Sequence, residues 1–265
     1  MTRARLSRSG LVPITVAGSD PTAGAGVEAD LKTFLAHGLS GVGVITALTT
    51  QSRRGVSRVD AILASRVAER LELLFDEFEI GGVKTGLLPN ADVVAAVARV
   101  LRRRTPRHLV VDPVLAPSHG RRFLDGRGRA ALVERLFPLA ELVTPNVPEA
   151  AALAGMTEAA VRKHPERATA ILRGFGARAV VLKGGHTEGA GVVDLLDDGG
   201  VIHAISARRV VNRRSGRPQS MHGTGCLFSA VLLAERIAGA SRIDATRGAG
   251  AAVRAALRRL ARANP

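Results

Sequence analysis

Cysteine and large aromatic residues are nearly missing from this sequence of 265 residues. It contains one cysteine and seven phenylalanines, and neither tryptophan nor tyrosine. A single cysteine excludes an internal disulfide, so nothing in the composition indicates an oxidising compartment. The scarcity of aromatic rings also argues against the stacking surface with which many proteins bind single-stranded nucleic acid.

Long apolar runs are missing as well. Hydrophobic residues make up 46% of the chain, yet no apolar run approaches the roughly 18 residues that a membrane helix needs. The basic opening segment, MTRARLSRSG, lacks the apolar stretch of a secretory signal. We therefore expect a cytoplasmic globular protein that does not bind membranes, with a flexible basic tail over residues 1–12 and one domain over residues 13–265.

Acidic residues are outnumbered by basic ones, 23 to 38, which gives a formal net charge of +15. Lysine accounts for few of these cations, so arginine predominates. A charge of this size is compatible with an anionic partner such as nucleic acid. The simpler interpretation is that arginine covers the solvated faces of helices, and we predict no specific binding of nucleic acid.

Short apolar runs alternate with helix-like segments along the whole chain. Six runs rich in β-branched residues lack polar alternation, which is typical of strands buried on both faces; they are residues 13–18, 42–50, 83–88, 108–114, 142–146 and 179–185. Between them, apolar residues recur near the helical period of 3.6. This pattern predicts an α/β fold with a mostly parallel central sheet, helices on both faces, and ligands bound beyond the carboxyl ends of the strands.

The motif HGTGC, residues 222–226, directly precedes an apolar helix. Its glycines allow the main chain to approach an anion closely, and the free N–H groups of a helix N-terminus favour negative charge. The same field is expected to lower the pKa of the Cys226 thiol below its usual value of about 8.5 and to make it a better base or nucleophile. The alternative is a tight turn with a small buried cysteine.

A second glycine-rich segment, AGSDPTAGAGVEADLK, spans residues 17–32. It follows a predicted strand and opens a helix, but its spacing is not G-x-G-x-x-G, which argues against a dinucleotide-binding site. Asp20 and Asp30 are instead candidate hydrogen-bond acceptors for a small polar ligand, with Asp30 one turn inside the helix.

Other polar residues follow the later strands. Asp112 and the pair Asn146 and Glu149 offer the carboxylate and amide oxygens that suit magnesium, although Glu149 is equally suited to capping a helix. Lys183 and Gly184 either bring a cation to a phosphate or form an ordinary turn. The seven histidines show no metal-ligand spacing.

Seven segments, taken in order, resemble the ribokinase-like small-molecule kinases, and most closely the hydroxymethylpyrimidine and phosphomethylpyrimidine kinases of thiamine biosynthesis. They are AGSDPTAGAGVEADLKTF, VITALTTQSRRGV, KTGLL, DPV, TPNVPEAAALAG, VLKGGH and HGTGC, within about residues 13–260. The resemblance implies a small flap over the substrate site and phosphorylation of 4-amino-5-hydroxymethyl-2-methylpyrimidine, and then of its monophosphate, with ATP and Mg²⁺. It also implies a homodimer.

The resemblance assigns roles to residues of this chain. Cys226 would be the base, and Gly223, Thr224 and Gly225 would form the anion hole for the transferred phosphoryl group. The expected substrate contacts are Gly18, Asp30, Gln51, Leu87 and Val114. Asn146, Lys183 and Gly184 would bind the nucleotide phosphates, and Asp112 and Glu149 the metal.

Two departures leave the substrate open. Leu87 stands where these kinases usually have a methionine that lines the pyrimidine pocket, and residues 116–120 replace a segment that often carries lysine or threonine with Ser-Gly. The K-T-G sequence at Lys84 is also similar to that of pyridoxine and pyridoxal kinases, which are the alternative of the same class. The alternative of another class is a non-catalytic protein that binds a ligand or nucleic acid on a kinase scaffold.

Overall fold

The computed structural model describes residues 10–52, 55–116, 123–184, 191–211 and 222–263. Its strands are β1 (Val12–Ser19), β2 (Val42–Ser52), β3 (Gly55–Ala61), β4 (Ile80–Thr85), β5 (Leu109–Val111), β6 (Leu142–Val143), β7 (Ala179–Leu182), β8 (Gly191–Asp198) and β9 (Val201–Arg208). Its α-helices are α1 (Gly26–Ala36), α2 (Ala64–Glu77), α3 (Ala91–Arg104), α4 (Gly126–Ala131), α5 (Val147–Ala154), α6 (Glu158–Lys163), α7 (Pro165–Gly174), α8 (Thr224–Ile237) and α9 (Arg242–Ala263).

All nine of these strands form one sheet, in the order β3-β2-β1-β4-β5-β6-β7-β8-β9. The six central strands, from β2 to β7 in this order, are parallel to one another. They are the six strands predicted from apolar runs, so the mostly parallel sheet is confirmed. The antiparallel strands β3, β8 and β9 lie at the two ends of the sheet and were not predicted.

Helices cover both faces of the sheet, as expected. The alternation of side chains along β5 shows how each face is buried, because Leu109 and Val111 pack into one core and Val110 into the other. The first core is closed by α2, α3, α5 and α7, and the second by α1, α8 and α9. Burial on both faces explains why the parallel strands have continuous apolar sequences.

No helix within the described ranges is long and apolar enough to cross a membrane. The carboxyl ends of the parallel strands lie side by side along one edge of the sheet, the edge formed by the strand ends, and α1, α5 and α8 begin near it. We call it the carboxyl edge and the opposite one the amino edge.

Candidate active site

A cavity of about 980 Å³ opens at the carboxyl edge. It is lined by most of the residues that the sequence indicated: Gly18, Gln51, Leu87, Asp112, Val114, Asn146, Glu149, Lys183, Gly223, Thr224, Gly225 and Cys226. Asp30 and Gly184 do not line it. The fold therefore gathers residues from both ends of the chain, as expected when parallel strands end along a common edge.

The glycine loop at the N-terminus of α8 requires glycine at position 223 for steric reasons. Gly223 has a left-handed backbone with φ of 84°, and a Cβ atom there would lie 1.8 Å from the carbonyl oxygen of Gly24. A Cβ on Gly225 would lie 3.3 Å from Nζ of Lys183 and 3.7 Å from Oδ2 of Asp112. The loop is thus packed directly against the two charged side chains that follow β7 and β5.

The environment of Cys226 differs from the one expected from its local sequence. Burial raises the pKa of the thiol, and the nearby carboxylates of Asp30 and Asp112 act in the same direction. The ammonium group of Lys84 and a hydrogen bond from the backbone N–H of Gly26 oppose this rise without cancelling it. The prediction that the pKa of Cys226 is lowered is therefore wrong, and the thiol is protonated at neutral pH.

Lys84 is a site residue that sequence reasoning missed. It is fully buried, and its Nζ lies 2.7 Å from Oδ2 of Asp30, which also accepts a hydrogen bond of 2.6 Å from the Thr15 hydroxyl. Burial disfavours the ammonium form, but Asp30, Cys226 and Asp112 together raise the pKa of Lys84 and keep it charged. A lysine inside an apolar strand is the signal that could have identified it.

Asp30 was expected to contact the substrate, and the structure places it elsewhere. Its side chain has no exposed surface, lies beneath the cavity and is engaged by Lys84 and Thr15. It does lie one turn inside α1, where the sequence placed it. In this geometry Asp30 acts on Lys84 and on Cys226 through its charge, and a direct contact with substrate stays a prediction.

Three charged residues, Asp112, Glu149 and Lys183, form what we call the carboxyl-edge cluster. Oδ1 of Asp112 lies 2.9 Å from Nζ of Lys183, and the hydroxyls of Thr144 and Ser229 also donate to this carboxylate. Although burial opposes ionisation, the charges of Lys183 and Lys84 and the hydrogen bonds from Lys183 and Ser229 lower the pKa of Asp112. Burial and the charge on Asp112 instead raise the pKa of Glu149 to about 7, against the opposing effect of Lys183.

Glu149 also has the structural role that was its alternative. Its Oε2 accepts a hydrogen bond of 2.8 Å from the backbone N–H of Asn146, and Oδ1 of Asn146 accepts one of 2.9 Å from the backbone N–H of Glu149. The two residues form a capping box at the start of α5. Capping therefore holds both side chains in the wall of the cavity, and the two interpretations are compatible.

The chemistry of the carboxyl-edge cluster fits a magnesium ion. Asp112 and Glu149 lie close enough for one charge to raise the pKa of the other, so a cation between them would relieve this repulsion. Among the described residues no group of three or more His, Cys, Asp or Glu side chains is arranged to hold a metal. Two carboxylates are enough for a magnesium site, because magnesium usually takes its remaining ligands from water and substrate phosphates.

Asp20 was expected to accept hydrogen bonds from a ligand, but protein groups occupy its oxygens. Oδ1 accepts from the backbone N–H and the hydroxyl of Thr22, both at 2.8 Å. Oδ2 accepts from the backbone N–H of Ala25 at 2.8 Å and lies 3.1 Å from Nε2 of His222. Asp20 lines the cavity, yet its main contacts order the loop between β1 and α1.

Four of the five predicted pyrimidine contacts, Gly18, Gln51, Leu87 and Val114, line the cavity. Gln51 comes from the end of β2, where the pairing with β3 shifts register between Thr50 and Gln51. Leu87 is almost buried, and a Cβ on Gly18 would lie 2.7 Å from its Cδ2 atom. Val114 also lines the cavity, so these residues contribute a mostly apolar part of its wall with one amide. The hairpin of β2 and β3 adds a wall where the resemblance implies a flap.

Gly184 has a packing role, in line with the turn that was its alternative. Its backbone N–H donates a hydrogen bond of 2.8 Å to Oδ1 of Asp194. A Cβ there would lie 1.9 Å from the carbonyl oxygen of Val193. Lys183, its neighbour in sequence, is the residue that faces the cavity.

Parts of three segments that the sequence singled out lie outside the described residues. They are His186, residues 117–120 in the segment after Asp112, and residues 212–220 in the basic connection before the glycine loop.

The comparison with protein families agrees with this geometry. The family model described as phosphomethylpyrimidine kinase matches residues 20–264. The chain belongs to this family. Its match covers every residue of the cavity wall discussed above except Gly18, which precedes it by two residues.

Individual relatives and solved structures are also similar to this chain. It is 39% identical to the hydroxymethylpyrimidine/phosphomethylpyrimidine kinase of Rhizobium meliloti (strain 1021), over 93% of this chain and 90% of the relative. It superposes on pyridoxal kinase from Staphylococcus aureus in complex with ADP with a TM-score of 0.83 and 29% identity, over 93% of this chain and 88% of that one.

A second solved structure carries the name of the family itself. The phosphomethylpyrimidine kinase of Clostridium difficile 630 matches with a TM-score of 0.78 and 28% identity, over 93% of this chain and 99% of that one. The expectations of a ribokinase-like fold and of a phosphotransferase are confirmed by these likenesses.

Proposed function

We propose that this phosphomethylpyrimidine kinase family member phosphorylates 4-amino-5-hydroxymethyl-2-methylpyrimidine with ATP, and then phosphorylates the monophosphate. The name of the Rhizobium relative covers both activities, and the S. aureus structure contains ADP. The observation that carries the proposal is that the amide of Gln51 and the thiol of Cys226 line the same cavity, with the glycine loop beside the thiol.

Each part of the cavity has a chemical role in this reaction. The Gln51 amide can donate to a ring nitrogen and accept from the exocyclic amine of an aminopyrimidine. With the hydroxymethyl group directed toward Cys226, the thiolate would take its proton as the alcohol oxygen attacks the γ-phosphorus of ATP, the bond to the β,γ-bridging oxygen breaks and ADP leaves. Backbone N–H groups of Gly223, Thr224 and Gly225 stabilise the charge on the transferred phosphoryl group.

The raised pKa of Cys226 limits how the thiol works. A protonated thiol cannot accept the alcohol proton, so the base form must arise within the site, where the Lys84 ammonium favours the thiolate. We therefore expect kcat to rise with pH as the thiolate fraction grows. Phosphoryl transfer needs positioning and charge neutralisation more than covalent help, so a modest base is sufficient.

Asp112 and Glu149 are the residues that would hold magnesium, which neutralises charge on nucleotide phosphates when it is bound. Lys183 lies next to both carboxylates and next to Gly225. These contacts support a role for Lys183 in binding the transferred phosphate group.

A substrate panel tests the proposal. The purified full chain is supplied with ATP and magnesium and with the aminopyrimidine alcohol, its monophosphate, pyridoxal or pyridoxine, and formation of ADP and of each phosphate ester is measured. We expect the highest kcat/KM with the aminopyrimidine alcohol. The likeness to the S. aureus pyridoxal kinase supports vitamin B6 as the second candidate, and a higher kcat/KM for pyridoxal would establish it instead.

Turnover of none of the four compounds would favour the non-catalytic alternative. We also propose that the protein is a cytoplasmic homodimer. Light scattering during size-exclusion chromatography tests the dimer, and fractionation of cells tests the location.

A further inference from the structure

Ser229 carries a fully buried hydroxyl on α8 that lies between two parts of the candidate site. Its Oγ atom is 3.1 Å from Oδ2 of Asp112, 3.0 Å from the carbonyl oxygen of Gly225 and 3.2 Å from that of Cys226. A serine hydroxyl has one proton to donate, so it cannot serve all three acceptors equally. The carboxylate of Asp112 is the strongest of them, because hydrogen bonds to charged acceptors are stronger than those to neutral carbonyls.

The two carbonyl groups do not depend on this proton. They belong to the first turn of α8, where each carbonyl oxygen accepts the backbone N–H of the residue four positions later. The helix therefore keeps its own hydrogen bonds whichever way the hydroxyl turns. What the hydroxyl adds to the site is its bond to Asp112.

The donors around Asp112 are divided unequally between its two oxygens. Oδ1 lies 2.9 Å from Nζ of Lys183 and 3.2 Å from the Thr144 hydroxyl, whereas Oδ2 has Ser229 as its one donor among the described residues. A carboxylate oxygen has two lone pairs, so those of Oδ1 are both engaged and Oδ2 keeps one free. Oδ2 is also close to the glycine loop, since a Cβ on Gly225 would lie 3.7 Å from it. Oδ2 is therefore the oxygen of Asp112 that is available to a metal.

The orientation of this free lone pair depends on Ser229. Lys183 and Thr144 hold Oδ1, but these bonds alone allow the carboxylate to turn about that oxygen. The Ser229 hydroxyl holds the second oxygen and so fixes the plane of the carboxylate. Carboxylates that bind metals commonly need such outer hydrogen-bond partners for their affinity.

We propose that Ser229 is a positioning residue for magnesium, because its hydroxyl holds the Asp112 carboxylate with Oδ2 available beside the glycine loop. Ser229 acts through Asp112 and does not itself bind the ion. This inference rests on the proposed function, in which Asp112 and Glu149 hold the magnesium that accompanies the nucleotide.

Calorimetric binding of ADP to the full chain, with saturating magnesium and with EDTA, tests the role of Ser229. The ratio of the two dissociation constants is the gain that magnesium gives to ADP binding, and it is compared between the wild type and Ser229→Ala. Loss of an outer hydrogen bond typically lowers metal affinity about 10- to 100-fold, so we expect the gain to fall about 10-fold. ADP affinity in EDTA should stay within about 2-fold of the wild-type value, because α8 keeps its backbone hydrogen bonds.

A merely structural role of Ser229 would give a different result. If the hydroxyl acted through α8 and the glycine loop, Ser229→Ala would weaken ADP binding equally with magnesium and with EDTA. The magnesium gain would then be unchanged, which would overturn the proposal.

Thr246→Val is the matched control. Thr246 is fully buried on α9, and its hydroxyl donates a hydrogen bond of 2.7 Å to the carbonyl of Arg242, four residues earlier. This variant therefore also removes one buried hydroxyl from a helix. Thr246 does not line the cavity, so the magnesium gain should equal that of the wild type.

Ser229→Cys provides an intermediate case and a second test if Ser229→Ala does not fold. A thiol is a weaker donor than a hydroxyl, so its magnesium gain should lie below that of the wild type. A wild-type gain in either Ser229 variant would overturn the role of Ser229. A wild type that binds no ADP would overturn the proposed function instead, and one that binds ADP equally with magnesium and with EDTA would overturn the metal site at Asp112, so these failures are distinguishable.

Discussion

Two clusters of buried charges lie at opposite edges of the sheet, and they are built in opposite ways. The amino-edge cluster consists of His108, Glu141, Arg236 and Arg242. Glu141 lies 2.7 Å from Nδ1 of His108 and 2.7 Å from Nη2 of Arg236, and Arg242 is 3.2 Å away. Burial disfavours its charge, but these partners lower the pKa of Glu141 to about 2.

The carboxyl-edge cluster has too few cations for its carboxylates. Asp112 and Glu149 share Lys183, and the pKa of Glu149 rises to about 7. The two glutamates therefore respond to pH in opposite directions. Folding is favoured by the charge on Glu141 at the amino edge and disfavoured by the charge on Glu149 at the carboxyl edge.

The amino-edge cluster therefore contributes to stability, whereas the carboxyl-edge cluster belongs to the candidate active site. None of the residues of the amino-edge cluster lines the cavity, and its two arginines face two carboxylates, because Arg242 pairs with Asp198 as well as with Glu141, which stabilises the fold. The carboxyl edge keeps unbalanced charge beside a cavity, which costs stability and is characteristic of a site that awaits a charged ligand. Substitutions at the two edges should therefore affect different measurements.

Cys226→Ala should have the largest effect, and only on activity. Loss of a positioned base is expected to lower kcat about 10²- to 10⁴-fold. The side chain is small and borders the cavity, so Tm should change by no more than about 2 °C. Steady-state kinetics with the aminopyrimidine and calorimetric unfolding measure the two quantities. Calorimetric binding of the aminopyrimidine should be unchanged, and unchanged turnover would contradict the role of the thiol.

Glu141→Gln should have the second largest effect, on stability alone. Removing this charge leaves the partly buried Arg236 without its carboxylate and Arg242 with Asp198 alone, which we expect to cost about 2 to 3 kcal/mol of unfolding free energy at pH 7. The folded pKa is below the ordinary value of 4.5, so the stabilisation is present above about pH 4.5 and is lost as pH falls toward 2. Urea unfolding at several pH values measures this difference.

Asp198→Asn is its control, because Asp198 is partly exposed and pairs only with Arg242 in this cluster. It should cost less than about 1 kcal/mol. If the Glu141→Gln variant lost kcat as well as stability, the claim that the amino-edge cluster affects stability alone would be wrong.

The central sheet and the position of the site were predictable from the sequence, and the reason is geometric. Continuous apolar runs reveal strands buried on both faces, and polar residues after such strands must gather at one edge. The antiparallel strands β3, β8 and β9 were not predicted, because this criterion does not detect them. β9, for example, has exposed Val201 and Ile202 and a mostly solvated face, so it lacks a continuous apolar run.

The finer chemistry of the site depends on contacts across the fold. Lys84 meets Asp30 over 54 residues, and His222 meets Asp20 over 202 residues. The local sequence of Cys226 suggested a helix field that lowers its pKa, whereas the fold buries it beside two carboxylates that raise it. Such pairings are set by tertiary structure: a lysine inside an apolar strand marks Lys84 as unusual, but residue type and spacing do not identify its partner.

Glu149→Gln should have a smaller effect on stability, with the sign reversed. The folded pKa of about 7 lies above the ordinary 4.5, so wild-type stability falls as pH rises from about 4.5 to 7. Glutamine can keep the capping box but carries no charge. The variant should gain about 1 to 3 kcal/mol at pH 8 and nothing at pH 4.5, while kcat falls. Urea unfolding at both pH values, with kinetics at pH 8, is the measurement. A loss of stability at pH 8 would show that the carboxyl edge is not electrostatically strained.

Arg66→Ala should have the smallest effect, and it provides the reference for both edges. Arg66 pairs with Glu69 within α2 at 2.8 Å, but both side chains are more than 60% exposed. Water screens such a pair and the ordering of two long side chains opposes it, so we expect less than about 0.5 kcal/mol in urea unfolding at pH 7 and no change in kcat. A cost as large as that of Glu141→Gln would mean that the arginine-rich surface itself stabilises the fold, and the contrast between buried clusters and exposed pairs would then fail.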